Sequence, residues 1–417
     1  MTRTEADLAT TIASVADDVV VDTDAFVAAV KQRHRRRRRR QVSVAAGAAA
    51  VLTVGAGVPA VLHASGITSP TAVPSGPVGG WATTPRIFTG DCWVEAVPAP
   101  LDVEPGHPVW VEDADPTGRF LVGTYGPPVG PDGWSNMDGP TGRILPVRWD
   151  SGVGRVIPVA GPDLRDVRPV AVNRHGAIAG IVRHPDVGGN GFLAWVSLDG
   201  TAWNLLPIPQ GYVEAYALSI TDDGTVLGAA YSTTSAHAAV VWTRNRSGVW
   251  LATVTPLAQG AAVSAITDDG WIVGSIGSGQ PYVWGPDGTG RELPLPDHAT
   301  WGSVDQVRGE WAVGLAGQED AKGPLRITTH IVRWNVRTGE TTIVADRPSM
   351  GTVAAVNSRG DVAWFDGSNV VLVRNGRTYV LPEVPEDLTR MPPPFTEPVA
   401  LTDDATLIVG HDALWWC

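Results

Sequence analysis

Ala265-Ile266-Thr267-Asp268-Asp269-Gly270-Trp271-Ile272-Val273-Gly274 reads as two short apolar strands joined by a tight polar turn. Alternating apolar positions and turn chemistry favour strands over helices. Asp followed by Gly suits the positive φ values that a hairpin turn needs. The same phrase recurs along the chain. Copies run from Asp113 to Gly123, Ala171 to Gly180, Ser219 to Gly228, Ala355 to Trp364 and Ala400 to Gly410, with a degenerate copy from Val304 to Gly314. Together with Ala265 to Gly274 they recur at roughly 40–57 residues, a period that signals a solenoid, a propeller or an array.

Each copy is followed by a second half. A short apolar run ends at Trp149, Trp195, Trp242, Trp284, Trp334 or Trp415, with Val373 as a variant. A turn follows, such as Pro286-Asp287-Gly288 or Arg374-Asn375-Gly376, and then a strand of the type Leu293-Pro294-Leu295-Pro296. The sum is four strands per repeat, a to d. Gly (48) and Pro (34) punctuate every repeat, which disfavours a helical solenoid. The expected fold is all-β: a seven-bladed propeller of four-stranded antiparallel blades over residues 85–417.

The last copy runs out after Cys417, with room for strand c but not for strand d. Cys92 to Pro100 resembles the d strands elsewhere, so the seventh blade is expected to be composite, its outer strand donated from the N-terminal side. Cys92 and Cys417 are the two cysteines of the chain and fall on these two strands. The expected pairing is a disulfide that locks the ring; two unrelated thiols is the alternative.

The phrase A-I-T-D-D-G-x-V-x-G, the apolar run to Trp and the L-P-x-P strand together resemble the bacterial extracellular HAF-type repeat. They are also similar to propellers of the WD-repeat shape. The resemblance covers about residues 92–417 and implies architecture. These repeats share no catalytic residues, so none is carried over. Two departures stand out: the copy near Val304 lacks the Asp-Asp-Gly turn, and the copy at Ala355 lacks the closing Gly.

Residues 1–40 read as a short cytoplasmic tail. Asp22-Thr23-Asp24 before Ala25-Phe26-Val27-Ala28-Ala29-Val30 is the pattern of a capped short helix. Six arginines, Arg35 to Arg40, then precede an uncharged stretch, Val42 to Leu62. About 20 such residues suffice to cross a hydrocarbon core, and the arginines place their flank in the cytoplasm. Residues 41–63 are therefore read as a transmembrane signal anchor, with a nucleic-acid patch at the arginines as the rival. A cleaved signal peptide is the other rival; the long preceding segment and the lack of a clean A-x-A site favour the anchor. Residues 64–84, rich in Ser, Thr, Pro and Gly, form a flexible linker. The tail-and-span arrangement also resembles actinobacterial one-pass membrane proteins found with sigma factors, without the zinc-type His/Cys pattern.

Charge separates the two sides. Residues 1–40 hold nine of the 31 Lys/Arg and six of the 43 Asp/Glu, which leaves 22 basic against 37 acidic groups beyond them. So acidic a domain argues against nucleic acid as ligand, since phosphate contacts need clustered cations. An extracytoplasmic location also suits the cysteines.

In a propeller the b–c and d–a connections emerge on one face. Here those connections are long and varied, and variable loops on a rigid scaffold are where binding lives. The candidate ligand residues are Trp134, Asn136 and Asp138 in the span Thr124–Ile144, His184 and Asp186 in the next blade, and Trp301. Arg326 in Ala316–Thr329 and Arg390 in Glu383–Glu397 complete the set. The Asp-Asp-Gly turns read as turns and not as a metal site, because each sits in a different blade. Most of the 17 Trp residues recur at one repeat position and read as packing between blades. No G-x-S-x-G, H-E-x-x-H or metal-spaced His cluster occurs, so no catalytic residue, metal or cofactor is assigned. The expected function is a membrane-anchored binding module for a protein, peptide or glycan outside the cell. The alternatives are a lyase or hydrolase with its site on that face, and a signalling protein whose tail contacts a cytoplasmic regulator.

Overall fold

The computed structural model describes residues 87–89, 92–103, 107–126, 144–159, 164–184, 187, 191–233, 237–255, 261–277, 279–319, 327–347, 354–385 and 397–417. The tail, the apolar span and the linker lie outside these residues.

The chain forms β1 (Ile87–Thr89) and β2 (Cys92–Ala96), then seven antiparallel hairpin sets. Blade 1 holds β3 (Val109–Ala114), β4 (Phe120–Tyr125), β5 (Leu145–Asp150) and β6 (Val153–Val156). Blade 2 holds β7 (Arg165–Val172), β8 (Ile178–Arg183), β9 (Phe192–Ser197) and β10 (Trp203–Leu205). Blade 3 holds β11 (Glu214–Ile220), β12 (Val226–Tyr231), β13 (His237–Arg244) and β14 (Trp250–Thr255). Blade 4 holds β15 (Ala262–Ile266), β16 (Ile272–Ile276), β17 (Gln280–Trp284) and β18 (Gly290–Glu292). Blade 5 holds β19 (Trp301–Arg308), β20 (Trp311–Glu319), β21 (Ile327–Asn335) and β22 (Thr341–Arg347). Blade 6 holds β23 (Ala354–Val356), β24 (Val362–Phe365), β25 (Val370–Arg374) and β26 (Arg377–Val380). β27 (Pro398–Leu401), β28 (Leu407–Gly410) and β29 (Ala413–Trp416) begin blade 7.

Blade 7 is completed by β2, which pairs with β29 from Trp93↔Trp416 to Ala96↔Ala413. The composite blade expected from the sequence is therefore present, and Cys92 and Cys417 are disulfide-bonded across it. The blade also exceeds the expected four strands. β1 adds a fifth, pairing Ile87↔Val94 to Thr89↔Cys92. The inner strands pack in cyclic order, β3 on β7, β11, β15, β19, β23, β27 and back to β3, so the ring is closed.

The core is divided accordingly. Seven apolar clusters lie in the seven gaps between neighbouring blades, such as Val111, Leu121 and Trp149 against Val409 and Leu414 between blades 1 and 7. The strand-c tryptophans Trp149, Trp195, Trp242, Trp334 and Trp415 are fully buried there. A buried indole N–H needs an acceptor; Trp195 finds it in its own blade, at Ile181 O, and for the other four the preceding blade supplies it. Trp242 donates to Pro207 O, Trp334 to Pro294 O and Trp415 to Pro382 O, each at 2.8–2.9 Å. Trp149 does the same to Pro98 O on the donated strand segment. This is why a Trp and a Leu-Pro recur together in the sequence: each pair stitches two blades.

The closing glycine of the repeat has an equally specific cause. In six blades the inner hairpin carries a β-bulge beside this position, as between Val263 and Ala265 or Val304 and Gln306. The bulge folds the inner-strand carbonyl over the glycine. A Cβ at Gly228, Gly274 or Gly314 would meet that oxygen at 1.9–2.0 Å. Blade 6 has Trp364 at the equivalent place, and its β23–β24 pair runs without a register shift. The missing glycine and the missing bulge are one event.

The Asp-Asp-Gly turns divide their labour. The second Asp closes its own turn: Thr221 Oγ1 bonds Asp223, and Thr267 and Thr402 bond Asp269 and Asp404 in the same way. The first Asp reaches the preceding blade. Asp222 accepts from Arg174 N, Asp268 from Asp222 N and Asp403 from Ser358 N. The turns thus join into a belt on the face opposite the long loops, with no cation required.

Candidate functional site

The bulge gives each inner strand a common frame, and aligning the strands on it shows where the chain departs from its own repeat. Opposite the residue that precedes the glycine, or Trp364 in blade 6, stand Ala171, Ser219, Ala265, Ala355 and Ala400, but Asp113 in blade 1. Two positions further on, where Thr221, Thr267 and Thr402 build their turns, blade 5 has Arg308. These two departures meet. Arg308 Nη2 donates to Asp113 Oδ1 at 3.2 Å and to Ala114 O at 3.0 Å. Val172 N donates to Asp113 Oδ2 at 3.0 Å. Blades 6 and 7 lie between blades 5 and 1, so this pair crosses the central axis. Gln306, the other polar departure, donates to Val399 O past blade 6. Burial pushes the Asp113 carboxyl up to about 6, against the pull of Arg308. The bridge lies near the a–b turn end of the channel.

Nearer the opposite end, the bulge residues of blades 1 and 5 are acidic. Glu112 pairs with Arg168 of blade 2, Nη2 to Oε1 at 2.8 Å. Asp305, half-buried, has one hydrogen bond, from Ser303 Oγ at 3.4 Å, and burial pushes its carboxyl up to about 7. Loss of hydration outweighs the single weak donor.

Above Glu112 the b–c turn of blade 7, shortened to His411-Asp412, leans onto blade 1. Val111 N donates to His411 O at 2.7 Å. His411 Nδ1 lies 2.8 Å from Val111 O, and its ring stacks on Trp110 with centroids 3.9 Å apart. A carbonyl only accepts, so Nδ1 carries the proton and Nε2 presents a lone pair. Nε2 has no protein partner among the described residues. Burial lowers the His411 pKa, with Glu112 opposing and Arg168 adding to the effect, so the imidazole is neutral at pH 7. The neighbouring Asp412 is buried, neither carboxyl oxygen has a partner among the described residues, and its pKa is pushed up to about 6 by burial.

A second group on the same face is aromatic. Phe192 and Tyr216 have ring centroids 5.2 Å apart, Tyr216 and Tyr231 5.2 Å, and Tyr231 and His237 6.0 Å. Phe192, Tyr216 and Tyr231 are half-buried and His237 is exposed. Tyr216 OH donates to Glu214 at 3.1 Å, and His237 Nε2 lies 2.9 Å from Ala261 O. These residues start or end strands at the b–c and d–a end of blades 2 and 3, forming a radial run from inner strand to loop.

Of the ligand residues expected from sequence, two are described. His184 follows β8 and turns its loop through His184 N to Gly191 O at 2.7 Å. Trp301 is the first residue of β19 and half-buried. Both lie at the expected end of the ring, but in blades 2 and 5, which are not neighbours, so the fold does not bring them together. Trp134, Asn136, Asp138, Asp186, Arg326 and Arg390 lie outside the described residues. No group of three metal-ligating side chains occurs among the described residues, nor any helix long and apolar enough to cross a membrane. Reading loops by length overlooked Trp110, Glu112, Arg168, Asp305 and His411. The signal available was departure from the repeat, on inner strands for the first four and in the shortened b–c turn of blade 7 for His411.

Several solved structures are distantly similar to the chain. The streptogramin B lyase structure is 13% identical, covering 78% of this chain and 97% of its own, with a TM-score of 0.44. The β-propeller domain of the Trilobed protease from Pyrococcus furiosus is 13% identical, covering 74% and 95%, with a TM-score of 0.46. YCF48 bound to D1 peptide is 11% identical, covering 80% and 99%, with a TM-score of 0.43. Likenesses this distant carry no statement about what the chain binds. No family model matches the chain, and no curated protein does.

Proposed function

We propose that the propeller is a binding module, held at the outer side of a cell membrane by residues 41–63, which captures a protein, peptide or glycan. The ligand rests on the face bearing the d–a and b–c connections. One observation carries this reading: that face bears two groups of half-buried aromatic rings and the Glu112–Arg168 ion pair. Trp110 with His411, and Tyr216 with Phe192 and Tyr231, offer apolar faces beside polar edges, the mixture that recognition sites use for contact area and orientation. The Arg308–Asp113 bridge supports a channel used as a receptacle from one end. The test is binding of the full chain, in detergent, to immobilised glycan and peptide panels. Trp110→Ala and Tyr216→Ala should each weaken capture at least tenfold, the loss of about 1.4 kcal/mol. Capture that survives both changes, or no capture by the unaltered chain, sinks the reading.

A second reading, a lyase or hydrolase on the same face, is favoured by His411. A pinned tautomer with a vacant Nε2 beside Glu112 and Arg168 is the arrangement a general base needs. Turnover lost in His411→Gln while ligand binding persists would separate this reading from the first.

A further inference from the structure

The turn His411-Asp412 joins β28 to β29 in blade 7 and is tied down on two sides. Val111 N of blade 1 donates to His411 O at 2.7 Å, and Val97 N, just past the donated strand β2, donates to Asp412 O at 2.9 Å. His411 Nδ1 returns a bond to Val111 O at 2.8 Å, and its ring lies on Trp110. Inside this bonded turn sits a misfit. Asp412 is only 6% exposed, and neither of its carboxyl oxygens has a partner. Among the described residues no other carboxyl has both oxygens sealed from solvent and unbonded. A buried polar group in that condition calls for a reason, because an ionised carboxylate without hydrogen bonds is costly to bury.

We propose that this turn is a proton-operated latch, which holds His411 on Trp110 while Asp412 is protonated and swings outward when Asp412 ionises. Its use rests on the binding reading above, since Trp110 is one of the rings assigned to the ligand; the latch itself rests on the turn.

The charged groups on the elements packed against the turn leave Asp412 without help. On β3 of blade 1, Glu112 is bound to Arg168 and Asp113 to Arg308. On β2, Glu95 accepts from Trp416 Nε1 at 2.7 Å. Asp366 stands exposed in the b–c turn of blade 6. Val97 to Pro100 carry no charge. Glu112 and Arg168 act on His411. None of these groups acts on Asp412: burial raises its carboxyl to about 6, and its own backbone amide pulls the other way. When the proton leaves, no cation is at hand to receive the charge, and the carboxylate finds donors by moving into water.

The closed turn therefore holds the proton more tightly than the open one, whose carboxyl has its ordinary pKa of about 4. Through Asp412, opening is rarest below pH 4, becomes about tenfold more frequent per pH unit up to pH 6, and levels off near a hundredfold. His411 has the opposite sign: burial lowers its pKa, so its protonation at acidic pH disfavours the closed turn.

The test is amide hydrogen exchange on the full chain in detergent, resolved to single residues, for the unaltered protein and Asp412→Asn. The ratio of their exchange rates at Val111 and Val97 cancels what both proteins share, including His411, Asp113 and the intrinsic pH dependence of exchange. That ratio should rise about 50-fold from pH 4 to pH 7.5. Asp412→Ala, which also removes the charge, should give the same rise. Two outcomes overturn the proposal. One is a ratio that stays flat with pH. The other is Val111 exchanging at the rate of buried Val273 on β16 at every pH, which would make the opening an unfolding of the whole ring. The readout needs no ligand, so a failure to capture anything from the panels, which sinks the binding reading, leaves this result standing.

Discussion

Arg308 of β19 and Asp113 of β3 bond across the axis of the ring, and each stands where its repeat departs from the others. In five sister blades the Asp113 position is Ala or Ser, and at the Arg308 position three sister blades have a turn-forming Thr. Neither departure makes sense alone. An acidic residue facing the axis without a cation would be an unpaired, largely buried charge, and an arginine at the turn position gives up the Thr–Asp bond that closes the other turns.

Removing the cation should therefore cost more than removing both partners. Arg308→Met leaves Asp113 desolvated and is expected to cost about 2–4 kcal/mol, toward the low end for a broken buried pair because both side chains keep some exposure. The double change Arg308→Met with Asp113→Ala should recover most of that loss. Urea denaturation of the single and double variants measures it, and equal losses would show that the two residues act independently.

The closing blade titrates. Asp412 is buried without a partner and its carboxyl is raised to about 6 in the fold. Such a group binds a proton more readily folded than unfolded, so stability is greatest below the unfolded pKa of about 4 and falls as pH rises through 6. Asp113, raised to about 6, and Asp305, raised to about 7, add slopes of the same sign. Asp412→Asn should remove its share, raising stability at pH 8 by on the order of 2–3 kcal/mol and changing little at pH 4. Melting curves of the two proteins across that range provide the comparison; parallel curves would count against it.

Opening the ring covalently should be costly. The Cys92–Cys417 bond joins residues 325 apart, and the chain-entropy model gives about 6 kcal/mol as an upper bound for so long a loop. Cys92→Ala with Cys417→Ala should lower the urea midpoint with no change in the far-UV spectrum of the native state, because β2 and β29 remain hydrogen-bonded.

Gly274→Ala should be far worse than an ordinary glycine replacement in a strand. Its Cβ would lie 2.0 Å from Ala262 O, and relieving that overlap means unmaking the bulge, with a cost of about 1–3 kcal/mol or more. Gly288→Ala, at a turn with open space around it, should cost only the strain of its positive φ. The difference between the two melting temperatures is the readout.

Much of the fold could be read from the chain because its signals are local and repeated. Asp268-Asp269-Gly270 marks a hairpin by its own chemistry, and Trp334 with Pro294 is one of four Trp–Pro pairs that join neighbouring blades. The composite blade followed from counting strands to Cys417. The fifth strand, β1, did not, because three residues, Ile87–Thr89, have no periodicity to detect. The channel residues escaped for a different reason. Asp113 and Arg308 are brought together across the ring by its curvature, and nothing in the spacing of 113 and 308 along the chain encodes that two inner strands face one axis. The bulge register, visible only once strands are paired, supplied the frame in which Asp113 and Arg308 became departures.

The place where the chain enters the propeller has a mechanical meaning. β1 precedes Cys92, the first residue of β2, and Cys92 is bonded to Cys417. Tension applied from the N-terminal side would peel three residues of β1 and then reach a covalent link. From there the load spreads into β29 and the middle of blade 7 instead of unzipping the outer strand. The weakest seam of a circular protein, the one where it was joined, is in this molecule the seam best able to bear a pull.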